Sequence, residues 1–295
     1  MFLEIKNVEM KYGKFEAVKG VSFGVEKGCI HGLIGENGAG KTTLIRCITG
    51  VYKPFSGEVL VDGENVYENP KVKMKIGFVG DTNKFLPSYK LGKVAEFYRD
   101  MYEKFDMNKL TELNQIFKLD MNKKVGDLSR GQQMRFAFML GMAANTEIMI
   151  MDEPTAGIDA IAKKEFFDVL VKEVEERELT VLITSHEISD LEKICDTVTL
   201  VKGGKVIEDD GLDQVKQAVR KFNLVFKNGV SEEFLAHPKL VSYSKVGSVY
   251  TVVFSGITEE EVMALQKYEP DFIEEFKVSL EEVFVYANGG KPDEK

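Results

Sequence analysis

An eight-residue stretch, Gly-Glu-Asn-Gly-Ala-Gly-Lys-Thr at positions 35–42, constrains this sequence more than any other feature. It matches in full the pattern of a glycine, any four residues, Gly-Lys, and then Ser or Thr. An apolar run at 29–34 precedes it and a helix-forming run at 43–48 follows it. A strand, a glycine-rich loop and a helix in that order form a nest of backbone N–H groups that binds phosphate.

The residue types in this loop suit a bound nucleotide. Glycines 38 and 40 allow backbone torsions and a close approach that a side chain would block. Lys41 is predicted to supply charge to the β and γ phosphates, Thr42 to ligate Mg²⁺, and Thr43 to touch the α-phosphate. The predicted nucleotide-binding residues of the loop are Gly35, Glu36, Asn37, Gly38, Ala39, Gly40, Lys41, Thr42 and Thr43.

An acidic pair, Asp152-Glu153, ends the apolar run at 148–151. Asp152 is predicted to hold Mg²⁺ through water, and Glu153 to polarise the attacking water as general base. GTPases usually read guanine through Asn-Lys-x-Asp, and each of the three Asn-Lys pairs here is followed two residues later by another residue type. The expected nucleotide is therefore ATP.

Apolar strands alternate with helices along the first two-thirds of the chain. Strand-like runs at 148–151 and 180–184 are separated by a helical pattern at 161–177, and an amphipathic helix is predicted at 130–144. A further helical pattern covers 92–118. Such alternation predicts an α/β fold with a parallel sheet buried on both faces.

The pattern changes after about residue 212, where strand-like runs at 222–227, 240–244 and 248–255 follow one another. We interpret this part as a small α+β accessory domain. The predicted organisation is one domain at 1–215, an accessory domain at 216–288 and a flexible tail at 289–295.

Composition excludes several other classes of protein. The chain has 295 residues and a net charge of −9, so general affinity for nucleic acid would need a locally basic patch. Its three cysteines, at 29, 47 and 195, are too scattered for a disulfide framework or a zinc site. A membrane-spanning helix needs ~20 apolar residues, whereas the longest apolar run, at 136–144, is shorter. We expect a cytoplasmic protein.

Three more motifs accompany the loop and the acidic pair. They are Leu-Ser-Arg-Gly-Gln-Gln at 128–133, Ala-Gly-Ile-Asp at 156–159 and Thr-Ser-His at 184–186. Together the five motifs resemble the nucleotide-binding subunits of ABC (ATP-binding cassette) transporters over residues 2–215. The resemblance implies a P-loop NTPase fold with an antiparallel β subdomain and a helical subdomain that carries the 128–133 motif.

The resemblance also implies roles for residues outside the loop. Two such subunits dimerise head to tail around two ATP molecules, so Ser129, Gly131 and Gln132 would complete the ATP site of the partner chain. Asp159 matches the loop that crosses the dimer interface. His186 matches the histidine that contacts the γ-phosphate and orders Glu153, and Tyr12 matches the aromatic residue that stacks on adenine.

Two further segments bear on the partner. Asp81 stands where the family usually has a glutamine that ligates Mg²⁺, and a carboxylate can also bind Mg²⁺; the segment 81–92 is a candidate surface for docking a membrane protein. Ser-Leu-Glu-Glu-Val-Phe-Val at 279–285 resembles the tail of drug, bacteriocin and antibiotic export ATPases. The resemblance implies an exporter subunit that is peripheral on the inner face of the membrane and works with a separate permease.

Alternatives remain open at this point. A soluble ABC protein could act on the ribosome or DNA instead, although ribosome-acting relatives usually carry two cassettes and DNA-repair relatives carry a long coiled-coil insertion. A cassette that binds ATP without turnover is a second alternative, against which Glu153 and His186 argue. The sequence leaves open whether the dimer is a homodimer or a heterodimer.

Overall fold

The structure of this chain is a computed structural model that describes residues 1–80, 87–227 and 229–287. The chain divides into two compact units, of which the first covers Met1–Asp209 and the second starts at Asp210. The predicted domain boundary, after residue 215, falls six residues later than this division. The predicted tail at 289–295 lies outside the described residues.

The strands that begin in the first unit are numbered in chain order. They are β1 (Leu3–Tyr12), β2 (Phe15–Val25), β3 (Ile30–Gly35), β4 (Ser56–Val61), β5 (Glu64–Asn65), β6 (Ile76–Val79), β7 (Ile148–Asp152), β8 (Thr180–Thr184), β9 (Thr197–Lys202) and β10 (Lys205–Gly211). They form a four-stranded sheet in the order β2-β1-β4-β5 and a six-stranded sheet in the order β10-β9-β3-β8-β7-β6.

The six-stranded sheet carries the predicted parallel core. Parallel pairing joins β6 to β7, β7 to β8, β8 to β3 and β3 to β9, and every residue of β7 and β8 is buried. Because the carboxyl ends of parallel strands meet at one edge, β3, β7 and β8 end close together. The predicted α/β fold class is confirmed.

The helices of the first unit are α1 (Lys41–Ile48), α2 (Pro70–Lys73), α3 (Leu91–Met101), α4 (Met107–Phe117), α5 (Arg130–Ala143), α6 (Ala160–Arg177) and α7 (Ile188–Leu191), with a 3₁₀ turn at Val125–Asp127. The helical pattern at 92–118 therefore forms two helices, α3 and α4. The break falls at Asp106, whose carboxylate accepts hydrogen bonds from the amides of Asn108 and Lys109 and so starts a new helix.

Helix α5 differs from its prediction in burial. The sequence predicts an amphipathic helix, but every residue from Phe136 to Ala143 is buried. The helix packs against α4 on one side and strand β6 on another, which accounts for apolar residues around its whole circumference. Only the first turn of α5 and Arg135 remain partly accessible.

The second unit contains a four-stranded antiparallel sheet in the order β12-β13-β11-β14. Its elements are α8 (Leu212–Gln217), β11 (Val219–Val225), α9 (Glu232–Leu235), β12 (Leu240–Val246), β13 (Val249–Ser255), α10 (Glu259–Ala264), a 3₁₀ turn at Leu265–Tyr268, β14 (Phe272–Phe276) and α11 (Leu280–Ala287). A core of aromatic and aliphatic side chains, including Phe222, Phe234 and Phe254, covers one face of this sheet. Within the part of the chain that the structure describes, we find no helix of the length and apolar character needed to span a bilayer.

Candidate nucleotide-binding and hydrolysis site

A cleft of about 310 Å³ lies where strand β3 ends and helix α1 begins. It is lined by Tyr12, Phe15, Ala17, Glu36, Asn37, Gly38, Gly40, Lys41, Thr42, Thr43, Asp152 and Glu153. Most of the predicted loop residues and both acidic residues therefore face one space. Gly35 and Ala39 complete the loop behind it, and Ala39 is buried.

Gly40 allows the backbone to make the cradle. Its φ is 102°, and a Cβ at this position would lie 2.4 Å from the carbonyl oxygen of Ala17. A side chain is therefore excluded both by the backbone torsion and by space. Gly40 also precedes the first turn of α1, and the amides at a helix start attract anions such as phosphate.

Lys41 is held inside the loop and is only 8% exposed. Its Nζ donates hydrogen bonds to the carbonyl oxygens of Gly35 (2.6 Å) and Glu36 (3.2 Å). Burial lowers the pKa of Lys41, and the negative charges of Glu153 and Asp152 oppose that shift. A largely desolvated ammonium group favours an anionic ligand, as the predicted phosphate contact requires.

Asp152 ends strand β7 and accepts hydrogen bonds from two hydroxyl groups. Thr42 Oγ1 donates to Asp152 Oδ2 at 3.0 Å, and Thr184 Oγ1 donates to Asp152 Oδ1 at 2.8 Å. The predicted Mg²⁺ ligands Thr42 and Asp152 therefore stand side by side. Across the described ranges, no three His, Cys, Asp or Glu side chains group closely enough to hold a metal ion. A hydroxyl and one carboxylate beside a phosphate site still fit Mg²⁺, which keeps waters and substrate phosphates among its ligands.

Glu153 is oriented by three hydrogen bonds. Its amide donates to Thr184 Oγ1 (3.0 Å), and its Oε2 accepts from the amide (3.0 Å) and the ring Nδ1 (2.6 Å) of His186. Because a carboxylate can only accept, Nδ1 carries the proton. Glu153 also has a φ of 53°, in the left-handed region that few residues with side chains adopt. The structure thus brings Glu153 and His186 together at the cleft.

Thr184 and Phe15 are functional candidates that the sequence does not predict. Thr184 belongs to the Thr-Ser-His motif at 184–186. Its hydrogen bond to Asp152 depends on the register of β7 and β8, which places the two residues side by side. Phe15 is 65% exposed and lines the cleft together with Tyr12. Phe15 is the first residue of strand β2 and belongs to none of the five motifs, so the sequence carried no signal for it.

Tyr12 lies at the edge of the cleft, where an adenine ring could stack. Its side chain is 43% exposed, and its hydroxyl is 3.4 Å from Thr43 Oγ1. The ring of Tyr52 packs edge-on against it, with ring centroids 6.3 Å apart. An exposed ring that is braced from one side can accept a second flat ring on its surface.

Ser129, Gly131 and Gln132 lie at the start of α5, apart from the residues that line the described cleft. The Ser129 hydroxyl accepts from the Gln132 amide at 3.3 Å, and the Gln132 side chain accepts from the Ser129 amide at 3.1 Å. This reciprocal pair is a capping box, which fixes the first turn of the helix. We refer to α5 below as the signature helix.

Asp159 lies next to the signature helix and caps helix α6. Its Oδ1 accepts from the Ala162 amide at 3.0 Å, and its Oδ2 accepts from Arg135 Nη2 at 2.8 Å. The hydrogen bond from Ala162 lowers the pKa of Asp159, and the charge of Arg135 adds to the shift. The remaining predicted site residue, Asp81, lies outside the described residues, as do the first six positions of the proposed docking segment 81–92.

The chain is similar to known proteins over much of its length. The family model described as "ABC transporter" matches residues 18–156. The ABC transporter ATP-binding protein YtrB of Bacillus subtilis is 32% identical over 98% of this chain and 99% of its own length. The bacitracin transport ATP-binding protein BcrA of Bacillus licheniformis is also 32% identical, over 72% of this chain and 70% of its own length.

Two solved structures resemble more than 70% of the chain. A dimeric ATP-binding cassette in a post-hydrolysis state, bound to ADP and Pi, superposes with a TM-score of 0.65 at 26% identity. The match covers 71% of this chain and 98% of that structure. An ATP-binding subunit of an ABC transporter superposes with a TM-score of 0.69 at 22% identity, covering 74% of this chain and 92% of that one.

Proposed function

Because this chain belongs to the ABC transporter ATP-binding proteins, which are ATPases, we propose that it powers an exporter whose permease is a separate membrane protein. The observation that carries the hydrolytic part is the position of Glu153. It borders the cleft that Lys41 and the loop of 35–42 form, and His186 holds its carboxylate at 2.6 Å.

In the proposed reaction, a water attacks the γ-phosphorus of ATP and gives a proton to Glu153, while the bond from the γ-phosphorus to the β–γ bridging oxygen breaks and ADP leaves. The amides at the start of α1 and the Lys41 ammonium stabilise the negative charge that develops on the phosphate oxygens. His186 keeps the Glu153 carboxylate directed toward the water. Mg²⁺, held by Thr42 and Asp152, would neutralise charge on the β and γ oxygens.

A complete site on this proposal needs two chains. Ser129 and Gln132 are fixed at the start of the signature helix, and neither is among the described residues that line the cleft of their own chain. A second chain facing head to tail would bring its Ser129, Gly131 and Gln132 to the γ-phosphate. Dimer closure on ATP and opening after hydrolysis would then supply the mechanical step.

Export is favoured by relatives and by one segment of this sequence. BcrA is named for bacitracin transport, and the segment 279–285 resembles the tail of antibiotic-type export ATPases. The proposed location is the inner face of the cell membrane, reached through the permease. Residues 81–92 remain the proposed docking surface, and Asp81 remains a proposed Mg²⁺ ligand.

The variant Glu153→Gln tests the proposal, because glutamine keeps the size of the side chain and cannot accept the proton. Steady-state hydrolysis should fall by about 10²-fold or more, the range for general bases. ATP binding should remain, and ATP should trap a dimer visible by light scattering. Glu175→Gln, an exposed change on α6, is the control and should behave as the wild type. Near-normal turnover of Glu153→Gln would show that Glu153 is not the base.

A further inference from the structure

Lys163 connects helix α6 to the segment that follows His186. Glu153 and His186 are called the hydrolytic pair. It lies one turn into helix α6, four residues after Asp159. Its Nζ donates to Glu187 Oε2 at 2.5 Å and to Asp190 Oδ2 at 2.7 Å. The Lys163 side chain is 14% exposed and that of Asp190 is 9% exposed, so this ion pair is screened weakly by salt. The Glu187 side chain is 45% exposed, so its pair with Lys163 is nearer to solvent.

The carboxylates that Lys163 binds belong to the segment that carries His186. Glu187 follows His186 directly, and Asp190 lies in the short helix α7. His186 in turn donates to Glu153 through both its amide and its ring. The position of the ring therefore depends on a segment that Lys163 fixes at two points.

Other charges near this bridge are weaker partners. Lys193 Nζ is 3.6 Å from Asp190 Oδ1, and its side chain is 71% exposed. His186 Nε2 is 3.9 Å from Glu187 Oε1. Burial lowers the pKa of Lys163, but the hydrogen bonds to Asp190 and Glu187 outweigh burial and raise it overall. Lys163 therefore stays charged at neutral pH.

The same end of helix α6 is also tied to the signature helix, one turn before Lys163. Arg135, on the signature helix, donates to Asp159, which caps α6. Helix α6 is thus held by Arg135 at its start and holds the His186 segment one turn later. A helix turn transmits small displacements along its axis with little change in shape, because each residue is hydrogen-bonded to the next turn.

We propose that Lys163 is a positioning residue that sets the His186–Glu153 pair through Glu187 and Asp190, and that α6 links this pair to the signature helix through Asp159 and Arg135. This rests on the proposed function, since it assumes that Glu153 and His186 carry hydrolysis. On this proposal, the contact that the signature helix makes with the partner chain's ATP adjusts the hydrolytic pair of its own chain.

The first test replaces Lys163 by Met, which keeps the length of the side chain and removes its charge. The kcat for ATP hydrolysis should fall about 10-fold or more, because small misplacements of catalytic groups are costly. The KM for ATP should change by less than about twofold, because Lys163 is not among the residues that line the cleft. Lys163→Arg should restore most of the kcat, since arginine can bridge the same two carboxylates.

Lys164→Met is the matched control, because Lys164 is the next residue on α6, is exposed, and carries the same charge. It should retain the wild-type kcat. A merely structural role for Lys163 would lower the melting temperature and leave the kcat per folded molecule unchanged, and that result would overturn the proposal. If Lys163→Met does not fold, Asp190→Asn decides, because it removes the charge without changing size. An unchanged kcat in that variant would also overturn the proposal.

The link to the signature helix is tested by combining Lys163→Met with Arg135→Met. If both residues act on one pair, the loss of kcat in the double variant should be smaller than the product of the single losses. A strictly multiplicative loss would overturn the link through α6. Failure of the proposed function itself looks different, because the wild-type chain would then show no ATPase activity that depends on Glu153.

Discussion

The Thr184 hydroxyl joins the two acidic residues at the end of strand β7. It donates to Asp152 and accepts from the amide of Glu153, and Thr184 is fully buried. One hydroxyl group therefore donates a hydrogen bond to Asp152, the proposed Mg²⁺ ligand, and fixes the backbone of Glu153, the proposed general base. Neither contact could be predicted from the motif alone, because both depend on how β7 and β8 align.

Thr184→Val keeps the shape of the side chain and removes this hydroxyl. Asp152 and the Glu153 amide would each lose a contact that fixes their position, so we expect the kcat for ATP hydrolysis to fall about 10-fold through misplacement of the proposed catalytic groups. Thr184→Ser retains the hydroxyl and should keep most of the activity. Equal steady-state rates for the valine and serine variants would show that the hydrogen bonds of Thr184 do not contribute to catalysis.

A buried histidine on strand β3 joins this strand to its neighbour β9. His31 is 1% exposed, with its Nδ1 2.7 Å from Thr197 Oγ1 and its Nε2 2.8 Å from Thr199 Oγ1. Thr199 Oγ1 donates its own proton to Asp209, so it accepts from Nε2, which carries a proton. Burial lowers the pKa of His31 to about 3.

This histidine predicts how stability depends on pH. Between pH 6.5 and about 3 the unfolded chain binds a proton at His31 that the native chain does not bind, so stability falls as the pH falls. The free energy of unfolding should drop by ~2 kcal/mol between pH 6.5 and pH 5 from this residue. Urea unfolding at several pH values measures this drop. The His31→Gln variant should show a smaller slope of the free energy of unfolding against pH.

His237→Gln provides the comparison, because His237 lies in the second unit. It should leave the pH dependence of the first unit unchanged. If His31→Gln kept the full slope of the wild type below pH 6.5, the slope would have to come from other groups.

The sequence predicts those helices, strands and loops whose pattern lies within a short stretch of residues. The loop at 35–42, the apolar strands β7 and β8 and the parallel sheet follow from short patterns, and the structure confirms the fold class. The burial of α5 was missed because it depends on α4 and β6, which lie elsewhere in the chain. The bridges from Lys163 to Asp190 and from Arg135 to Asp159 were missed for the same reason, since each joins residues at least 24 positions apart.

The two groups of residues that would together form one ATP site lie at different places on the same chain. Lys41 faces the cleft, whereas Ser129 caps the signature helix. Two chains that face head to tail would each supply one part to each site. Activity should therefore belong to the pair of chains and not to either chain alone.

Mixing two inactive variants tests this arrangement. Lys41→Ala removes the phosphate contact of one chain, and Ser129→Ala removes the contribution to the partner's site. A mixed dimer would contain one site built from the intact Lys41 of one chain and the intact Ser129 of the other, so ATPase activity should exceed the average of the two variants measured separately. Strict averaging would indicate sites that are complete within one chain.

The backbone torsion of Glu153 affects which substitutions can make this protein more stable. A non-glycine residue held at a φ of 53° costs of order 1–3 kcal/mol, which is a sizeable share of the ~5–15 kcal/mol that keeps a protein folded. Glycine or asparagine would relieve that strain and remove the carboxylate at the same time. Selection for heat resistance alone would therefore favour loss of the proposed catalytic base, and a heat-resistant variant that keeps Glu153 must gain its stability elsewhere.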